Sequence, residues 1–428
     1  MRDILITLIV FGSLPFILRR PFLGVLMWTW LGLMNPHRMA WGFSTHLPFA
    51  FVVFITTVVG YTASNEPKRL PLGREILLIA TLVLWMFITT LNARYQIPAW
   101  EQWDKVWRIQ LGILLTLMLT NSERRVIDLA WVVGLSLAFY GLKGGIWTII
   151  HGGANRVYGP PGTFIGGNNE IGLALVMAAP ILWFLALHAK QRLLKVGMYA
   201  TVGLTLVAIV GTHSRGALLG LAVIGLMLFL KAKHKFLPAL MGLSFVAILP
   251  HIVPQEWFDR MHTIETYEED KSATNRILAW KKGIEIANSS ITGGGFEYLP
   301  YANGVDAHSI YFEMLSEHGY PGLAMFLTLG LFTWMKAGKV RRISGKDQRL
   351  AWARDLAAMT QVSMAGYATS GAFLGLAYFD MFYIIVVIVV VLESTVKQML
   401  LEEGLRPTAG GIKTGVGYAV RAPSWEHA

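Results

Sequence analysis

Apolar stretches long enough to cross, or nearly cross, a lipid bilayer recur along this 428-residue chain. About 20 apolar residues in a helix span the bilayer's hydrocarbon core, which is about 30 Å thick. With 54% hydrophobic and 15% charged residues, the chain is too apolar to fold as several soluble domains. The sequence predicts an all-α polytopic membrane protein with about 12–13 transmembrane helices. The predicted spans lie at 4–18, 22–34, 47–64, 75–92, 106–120, 126–150, 170–188, 195–213, 215–231, 236–253, 309–335, 355–375 and 380–400.

The first two predicted spans are short and are separated only by Arg19, Arg20 and Pro21, so they form either a tight hairpin or one broken helix. The first span has no small-residue cleavage site after it and is expected to be retained rather than removed as a signal peptide. Cysteine is absent, which excludes disulfides and thiolate nucleophiles.

Basic residues cluster in alternate loops, the pattern that marks the cytoplasmic side of a membrane protein. These loops and the C-terminal tail hold 24 of the 37 Lys and Arg residues. The distribution accounts for the net charge of +11 without nucleic-acid binding. The other loops, including 151–169 and 254–308, are predicted to face the external side. The basic clusters lie at 19–20, 68–74, 124–125, 190–195, 231–235 and 336–354.

The 254–308 segment is the one long polar interruption in this apolar chain. It contains a glycine triplet and a stretch whose apolar spacing fits an amphipathic helix lying along the membrane surface, so we expect it to be folded. The chain is predicted to divide into a tryptophan-rich membrane region at 1–124, a second membrane domain at 125–400 that includes this loop, and a disordered cytoplasmic tail at 401–428.

Arg215 lies in THSRGALLG, at the start of an apolar helix. One interpretation is an interfacial arginine that reaches to the lipid headgroups. The other is an anion site, because Ser214 can cap the helix, Gly216 leaves room for a ligand, and a helix N-terminus carries partial positive charge.

Arg276 and His308 are open to two interpretations as well. Arg276 lies in the first turn of the amphipathic helix, either as a solvated charge or as a ligand-binding group. His308 precedes a membrane helix and is either a structural residue or a base. Asp306 and Glu313 are the nearer candidates to orient its ring, since Glu317 lies too far along a regular helix.

Glycines and Pro321 in the sequence HGYPGL predict a kink inside the helix that follows His308. The 151–169 loop matches no nucleotide-binding motif, but with Arg156, Asn169 and the nearby His213 it is a candidate wall of a polar pocket. The acidic run at 265–270 is interpreted as a solvated charge cluster, and no metal site is predicted.

Taken together, three segments resemble the O-antigen ligase superfamily of bacterial membrane glycosyltransferases. They are THSRGALLG, NRILAWKKGIEIANSSITGGG and AHSIYFEMLSEHGYPGLAMF, which resembles the family pattern of a histidine followed by E-x-G-x-x-G. The N-terminal sequence MNPHRMAWGF is similar to a subgroup described as exosortase-associated O-glycosylation ligases.

The resemblance implies a GT-C-like fold in the bacterial inner membrane, with a large periplasmic loop. It implies transfer of a glycan from undecaprenyl pyrophosphate to an acceptor hydroxyl on a glycan, lipid or protein, with inversion at the anomeric carbon and without a cofactor. Arg215 and Arg276 match the family's pyrophosphate-binding arginines, and His308 matches its essential histidine. Arg156, His213, Asn169 and Glu317 are further pocket candidates.

Two alternatives stay open at the level of sequence. A polymerase of the same fold uses the same donor chemistry and differs only in its acceptor. A transporter or flippase also has interrupted helices and intramembrane charges, but its binding site is expected near the middle of the membrane rather than in a loop at one face.

The distribution of basic residues makes a topological prediction. A reporter fused within 254–307 is expected to lie in the periplasm and one within 336–354 in the cytoplasm, because positively charged loops are retained on the cytoplasmic side. Alkaline phosphatase and fluorescent-protein fusions measure the two locations. Both reporters on the same side would contradict the orientation.

Overall fold

A computed structural model describes residues 1–231, apart from 69 and 72, and residues 271–402, with the side chains of 271–273 excluded. Three expectations from the sequence lie outside the described residues: the span at 236–253, the acidic run at 265–270 and the state of the tail from 403 onward. The regular secondary structure of the described residues is entirely helical, without a strand. The prediction of an all-α multi-pass membrane protein is confirmed.

The described helices, numbered in chain order, begin and end as follows. They are α1 Arg2–Arg19, α2 Phe22–Met34, α3 Phe49–Ala63, α4 Arg74–Leu91, α5 Gln96–Leu119, α6 Glu123–Ile150, α7 Asn168–His188, α8 Arg192–Gly211, α9 Arg215–Lys231, α10 Lys271–Ser289, α11 Tyr298–Asn303, α12 Ile310–Ser344, α13 Ala351–Gly371 and α14 Asp380–Glu402. Two short 3₁₀ turns, Pro36–Met39 and Phe43–His46, join α2 to α3.

Each predicted span within the described residues coincides with a helix. The first two are separate helices that meet at Arg20 and Pro21. Asp3 at the start of α1 accepts hydrogen bonds from Ser44, which follows the end of α2, so the two helices fold back as a hairpin. Five described helices, α4, α6, α7, α8 and α14, are long and apolar enough to cross a membrane by length and composition. The larger count of 12–13 spans stays a prediction.

The lipid-facing surface is visible on α4. Leu77, Leu84 and Leu91 recur every seventh residue, and their exposed fractions are 68%, 59% and 52%. Residues seven apart lie on one face of a helix, and a continuous exposed leucine stripe is unfavourable in water. The stripe therefore fits a helix that contacts lipid.

The centre of the helical bundle is formed by α7 and α14. In α14 the apolar run from Ile384 to Leu392 is buried along its whole length, and α7 is buried from Ile171 to Leu182. Helix α7 packs against α6, α8, α9 and α13, and α14 packs against α5, α12 and α13. Helices that are apolar all round are found inside such bundles.

Basic side chains at one end of the bundle form ion pairs with buried carboxylates. Lys336 of α12 lies 2.9 Å from Glu75 of α4 and 2.8 Å from Glu393 of α14, joining three helices. In the same end, Arg125 donates hydrogen bonds of 2.9 and 2.5 Å to Glu66 and holds the pKa of that carboxyl below its ordinary value. The basic clusters predicted to be cytoplasmic thus include structural ion pairs.

At the other end, α12 is broken at Gly319, where φ is 65° and ψ is −173°. The predicted kink is confirmed. Pro321 has no N–H to donate to the carbonyl of Glu317, so the break leaves backbone acceptors exposed inside the bundle.

Three successive carbonyls before the break accept hydrogen bonds from outside the helix. Gly294 N–H donates to Ser316 at 2.8 Å, Gly295 N–H donates to Glu317 at 3.0 Å, and Trp85 Nε1 donates to His318 at 2.8 Å. An unsatisfied buried carbonyl costs about 1–3 kcal/mol, so these donors make the break tolerable. The glycine triplet of the 254–308 loop and α4 are thereby fixed to α12.

Gly295→Ala is expected to lower the free energy of unfolding by about 2–5 kcal/mol. The residue has a φ of 83°, and an added Cβ would overlap Ala93 and lie 2.7 Å from the Ala93 Cα atom. Thermal unfolding of the purified protein in one detergent measures the effect.

Gly304→Ala is the matched control, because Gly304 has a φ of 70° but no atom within 4 Å of an added Cβ. It is expected to show only backbone strain, about 1–2 kcal/mol. Equal shifts in the two variants would contradict a tight contact between the glycine triplet and Ala93.

Candidate active site

His308 lies in a short segment whose backbone is anchored on both sides. Trp280 of α10 donates from Nε1 to the carbonyl of Ala307 at 2.8 Å, and its ring stacks on Phe312 at 4.7 Å. His308 has a φ of 44°, a backbone conformation that few non-glycine residues adopt. The anchors hold the half-exposed imidazole at the start of α12.

Asp306 is the carboxylate that faces this imidazole. Its Oδ2 atom is 3.9 Å from His308 Nδ1, a charge contact rather than a hydrogen bond. The charges of both residues also act on Glu170 in the first turn of α7. The structure therefore groups His308 with Asp306 and Glu170, and Glu313 instead accepts a hydrogen bond from the Ala377 amide at 3.0 Å.

Arg276 is half-buried and lies one helical turn before Trp280 on α10. Residues four apart share a helix face, so Arg276 lies on the side of α10 that packs against the segment before His308. The predicted amphipathic helix is present as α10, and Ala279 and Ile286 lie on its buried face.

Arg215 is the first residue of α9 and is half-buried. The hydroxyl of Ser214 accepts a hydrogen bond from the Ala217 amide at 3.3 Å, which is the cap expected from the sequence. Gly172 of α7 faces Ser214 and Ala217, and Gly216 faces the end of α13 at Phe373. Arg215 thus lies where the ends of α7, α9 and α13 meet.

His213 lies in the α8–α9 turn, outside these helix ends, and Arg156 lies near it in the 151–167 loop. Nε2 of His213 is 2.8 Å from the carbonyl of Gly153, and the Val157 amide donates to Gly211 at 2.8 Å. Burial chiefly lowers the pKa of His213, and the nearby Arg156 acts in the same direction. These contacts attach the 151–167 loop to the α8–α9 turn.

Asn169 is half-buried in the first turn of α7. The neighbouring Asn168 makes the tertiary contact, donating from Nδ2 to the carbonyl of Thr212 at 2.9 Å. A ligand contact for Asn169 stays a prediction.

Glu317 is buried. Its carboxylate bonds to the loop that follows the glycine triplet and to the segment before α14, rather than to His308. Oε1 accepts from the Glu297 amide at 2.8 Å, and Oε2 accepts from the hydroxyl of Tyr378 at 2.5 Å. Tyr378 in turn lies 2.8 Å from Nε2 of His318, whose Nδ1 is 2.6 Å from the Thr89 hydroxyl of α4. This hydrogen-bond chain holds the Glu317 carboxylate in one orientation.

A cavity of about 980 Å³ opens beside these groups, with one wall from α2, α3 and α5 and the other from the 162–170 loop, the segment around Glu297 and the starts of α12 and α14. Carboxyl groups dominate the second wall. They belong to Glu170, Glu297, Asp306, Glu313, Glu317 and Asp380.

Sequence reasoning did not identify Glu297, Tyr378 or Asp380. Each lies far in sequence from the residue it approaches, and no fixed spacing marks the pair. Within the ranges that the structure describes, no three His, Asp or Glu side chains are placed to hold a metal ion.

The comparisons with known proteins divide the chain in two. Residues 200–327 match the family described as O-antigen ligase, a range that contains Arg215, Arg276, His308 and Glu317. Residues 1–190 match a family of unknown function (DUF5935). No curated protein matches the chain.

Burial raises the pKa of Glu297, and repulsion from Asp306 adds to the shift. A group whose pKa is raised on folding contributes stability below its unfolded value, near 4.5, and loses that contribution as pH rises through the folded pKa. The melting temperature of Glu297→Gln is therefore expected to exceed that of the unmodified protein by a margin that grows as pH rises from 4 to 8.

Glu285→Gln serves as the control, because Glu285 is an exposed partner of Lys282 on α10. It is expected to show no such pH-dependent gain. The reverse slope for Glu297→Gln, with the benefit at acidic pH, would contradict a raised pKa of the Glu297 carboxyl.

Proposed function

This chain belongs to the O-antigen ligase superfamily, and we propose that it transfers a glycan from undecaprenyl pyrophosphate to an acceptor hydroxyl. The observation that carries the proposal is the anchored His308–Asp306 pair beside a large cavity that six carboxyl groups line. The superfamily supports a glycan-transferring enzyme that acts on lipid-linked substrates in a membrane. The donor lipid, the stereochemistry and the membrane face are the parts that we propose.

The donor pyrophosphate binds Arg215 and Arg276 in this proposal. Planar guanidinium groups form bidentate hydrogen bonds with phosphate oxygens, and a helix N-terminus at Arg215 adds partial positive charge. As the bond between the anomeric carbon and the pyrophosphate oxygen breaks, negative charge builds on the leaving group. Positioned cations stabilise that charge most where water is excluded.

His308 acts as the general base. It takes the proton of the acceptor hydroxyl while the hydroxyl oxygen attacks the anomeric carbon, and the pyrophosphate leaves with the bonding electrons. Attack from the face opposite the leaving group inverts the configuration. The carboxylate of Asp306 faces the imidazole at 3.9 Å.

The site lies on the periplasmic side of the bacterial inner membrane in this proposal. The basic loops and the ion pairs of Lys336 and Arg125 lie at the opposite end of the bundle, where a cytoplasmic face is expected. A polymerase would share these steps, and the acceptor that supports turnover distinguishes it from a ligase.

His308→Ala is expected to lower turnover by about 10²–10⁴-fold, the contribution of a positioned base, while affinity for undecaprenyl pyrophosphate is kept. Arg215→Lys and Arg276→Lys are expected to lose most turnover and to bind the donor more weakly as well, because an ammonium group cannot reproduce bidentate contacts. Release of undecaprenyl pyrophosphate and direct lipid binding are measured in one detergent preparation.

Parallel loss of donor affinity, turnover and melting temperature in His308→Ala would make the histidine structural. Normal turnover in both lysine variants would reduce the two arginines to interfacial anchors. No release of undecaprenyl pyrophosphate from any glycan donor by the unmodified protein would overturn the proposed reaction itself.

A further inference from the structure

The large cavity lies on one side of His308. Asp306 lines it, whereas Arg215 and Arg276 are not among the described residues that do. Because Asp306 lies 3.9 Å from the imidazole of His308, the cavity reaches the neighbourhood of the proposed base. It can therefore admit the molecule that gives its proton to His308.

The chemistry of the walls restricts what that molecule is. Six carboxyl groups line the cavity against three cationic side chains, Arg38, Lys105 and Arg108, which all lie on the N-terminal wall. Carboxyl groups accept hydrogen bonds from a ligand, and those that are ionised repel further negative charge. The carboxylate wall thus favours a ligand rich in O–H or N–H donors and disfavours a phosphorylated or carboxylated one.

Asp380 makes this argument specific. It is only 7% exposed, it lines the cavity, and its carboxylate comes so close to α2 that an added Cβ at Gly32 would lie 2.8 Å from Oδ2. Among the described residues, the one donor to its carboxylate is its own backbone amide. A buried carboxyl group with unused hydrogen-bonding capacity is costly, and a ligand hydroxyl in the cavity would satisfy it.

The N-terminal wall supplies aromatic surface opposite the carboxylates. Aromatic faces carry partial negative charge and pack well against the C–H faces of sugar rings. The volume of about 980 Å³ is at the upper end of the range of roughly 300–1,000 Å³ for small-molecule pockets. The aromatic side chains of this wall are Trp28, Phe49, Phe51, Phe54 and Trp107, and Phe164 and Phe379 lie on the carboxylate wall.

We infer that this cavity binds the acceptor as a sugar without anionic groups, neutral or amine-bearing, and that the N-terminal region of unknown function forms half of the acceptor site. The inference rests on the proposed transfer function. It assigns residues 28–111 a direct role in acceptor selection, with Asp380 as a specificity-determining residue.

The test measures sugar binding by calorimetry with the full-length protein in lipid nanodiscs. Diacetylchitobiose is the neutral probe, glucosamine the cationic probe, and glucuronate and glucose 6-phosphate the anionic probes. The neutral and cationic sugars are expected to bind, and the anionic ones to bind at least about tenfold more weakly.

Asp380→Asn is expected to weaken binding of the neutral probe about tenfold, the loss of one hydrogen bond to a charged group, and to narrow the discrimination against glucuronate. Trp107 is half-buried and is expected to tolerate truncation. Trp107→Ala is expected to weaken binding of the neutral probe as well. Both variants are expected to bind undecaprenyl pyrophosphate normally. Asp355→Asn at the opposite end of the bundle, 3.6 Å from His188, is the control and is expected to change nothing.

Three outcomes would overturn the inference. One is equal or tighter binding of the anionic sugars. Another is unchanged sugar affinity in both Asp380→Asn and Trp107→Ala. The third is displacement of the neutral probe by a lipid-linked glycan but not by undecaprenyl pyrophosphate alone, which would assign the cavity to the donor's glycan.

Failure of this inference is distinguishable from failure of the proposed function. Turnover of a lipid-linked glycan, followed by release of undecaprenyl pyrophosphate, tests the reaction without reference to the cavity. Release that persists while the binding measurements show no preference for uncharged sugars would overturn the acceptor assignment only.

Discussion

The break in α12 at Gly319 is the constraint on which the cavity end of the bundle depends. A helix interrupted inside a bundle must have its backbone acceptors satisfied by other elements, because an unsatisfied buried carbonyl is costly. Gly294, Gly295 and Trp85 provide the three donors. These hydrogen bonds fix the glycine-triplet loop and α4 against α12, and they thereby also fix the side chains that flank the break.

This arrangement joins the N-terminal region to the O-antigen ligase region, although the two match different families. Thr89 of the N-terminal region contacts His318, and through Tyr378 the contact reaches Glu317 at the cavity wall. Both matched regions also line the cavity, the N-terminal one through α2, α3, α5 and the 162–170 loop and the O-antigen ligase region through Glu297 and the start of α12. The predicted division near residue 125 remains a prediction, and the contacts cross it.

The two ends of the bundle use charge differently. At one end, basic residues pair with buried carboxylates, as Lys336 does with Glu75 and Glu393. At the other end, carboxylates such as Glu317 and Asp380 point into a cavity, and their partners are backbone amides and a tyrosine hydroxyl. The first pattern stabilises the fold, whereas the second leaves acceptor capacity for a ligand.

The sequence by itself determined the all-helical class, the bounds of most helices, the amphipathic α10 and the kink near Pro321, because apolar periodicity and proline act locally. It also singled out Arg215, Arg276 and His308, whose motifs lie within short segments. It did not indicate that Asp380 faces Gly32 of α2, that Glu297 bonds to Glu317 through its amide, or that Trp85 satisfies the carbonyl of His318. Those contacts join residues that are 20 to more than 200 positions apart, and only the packing of helices against one another brings them within reach.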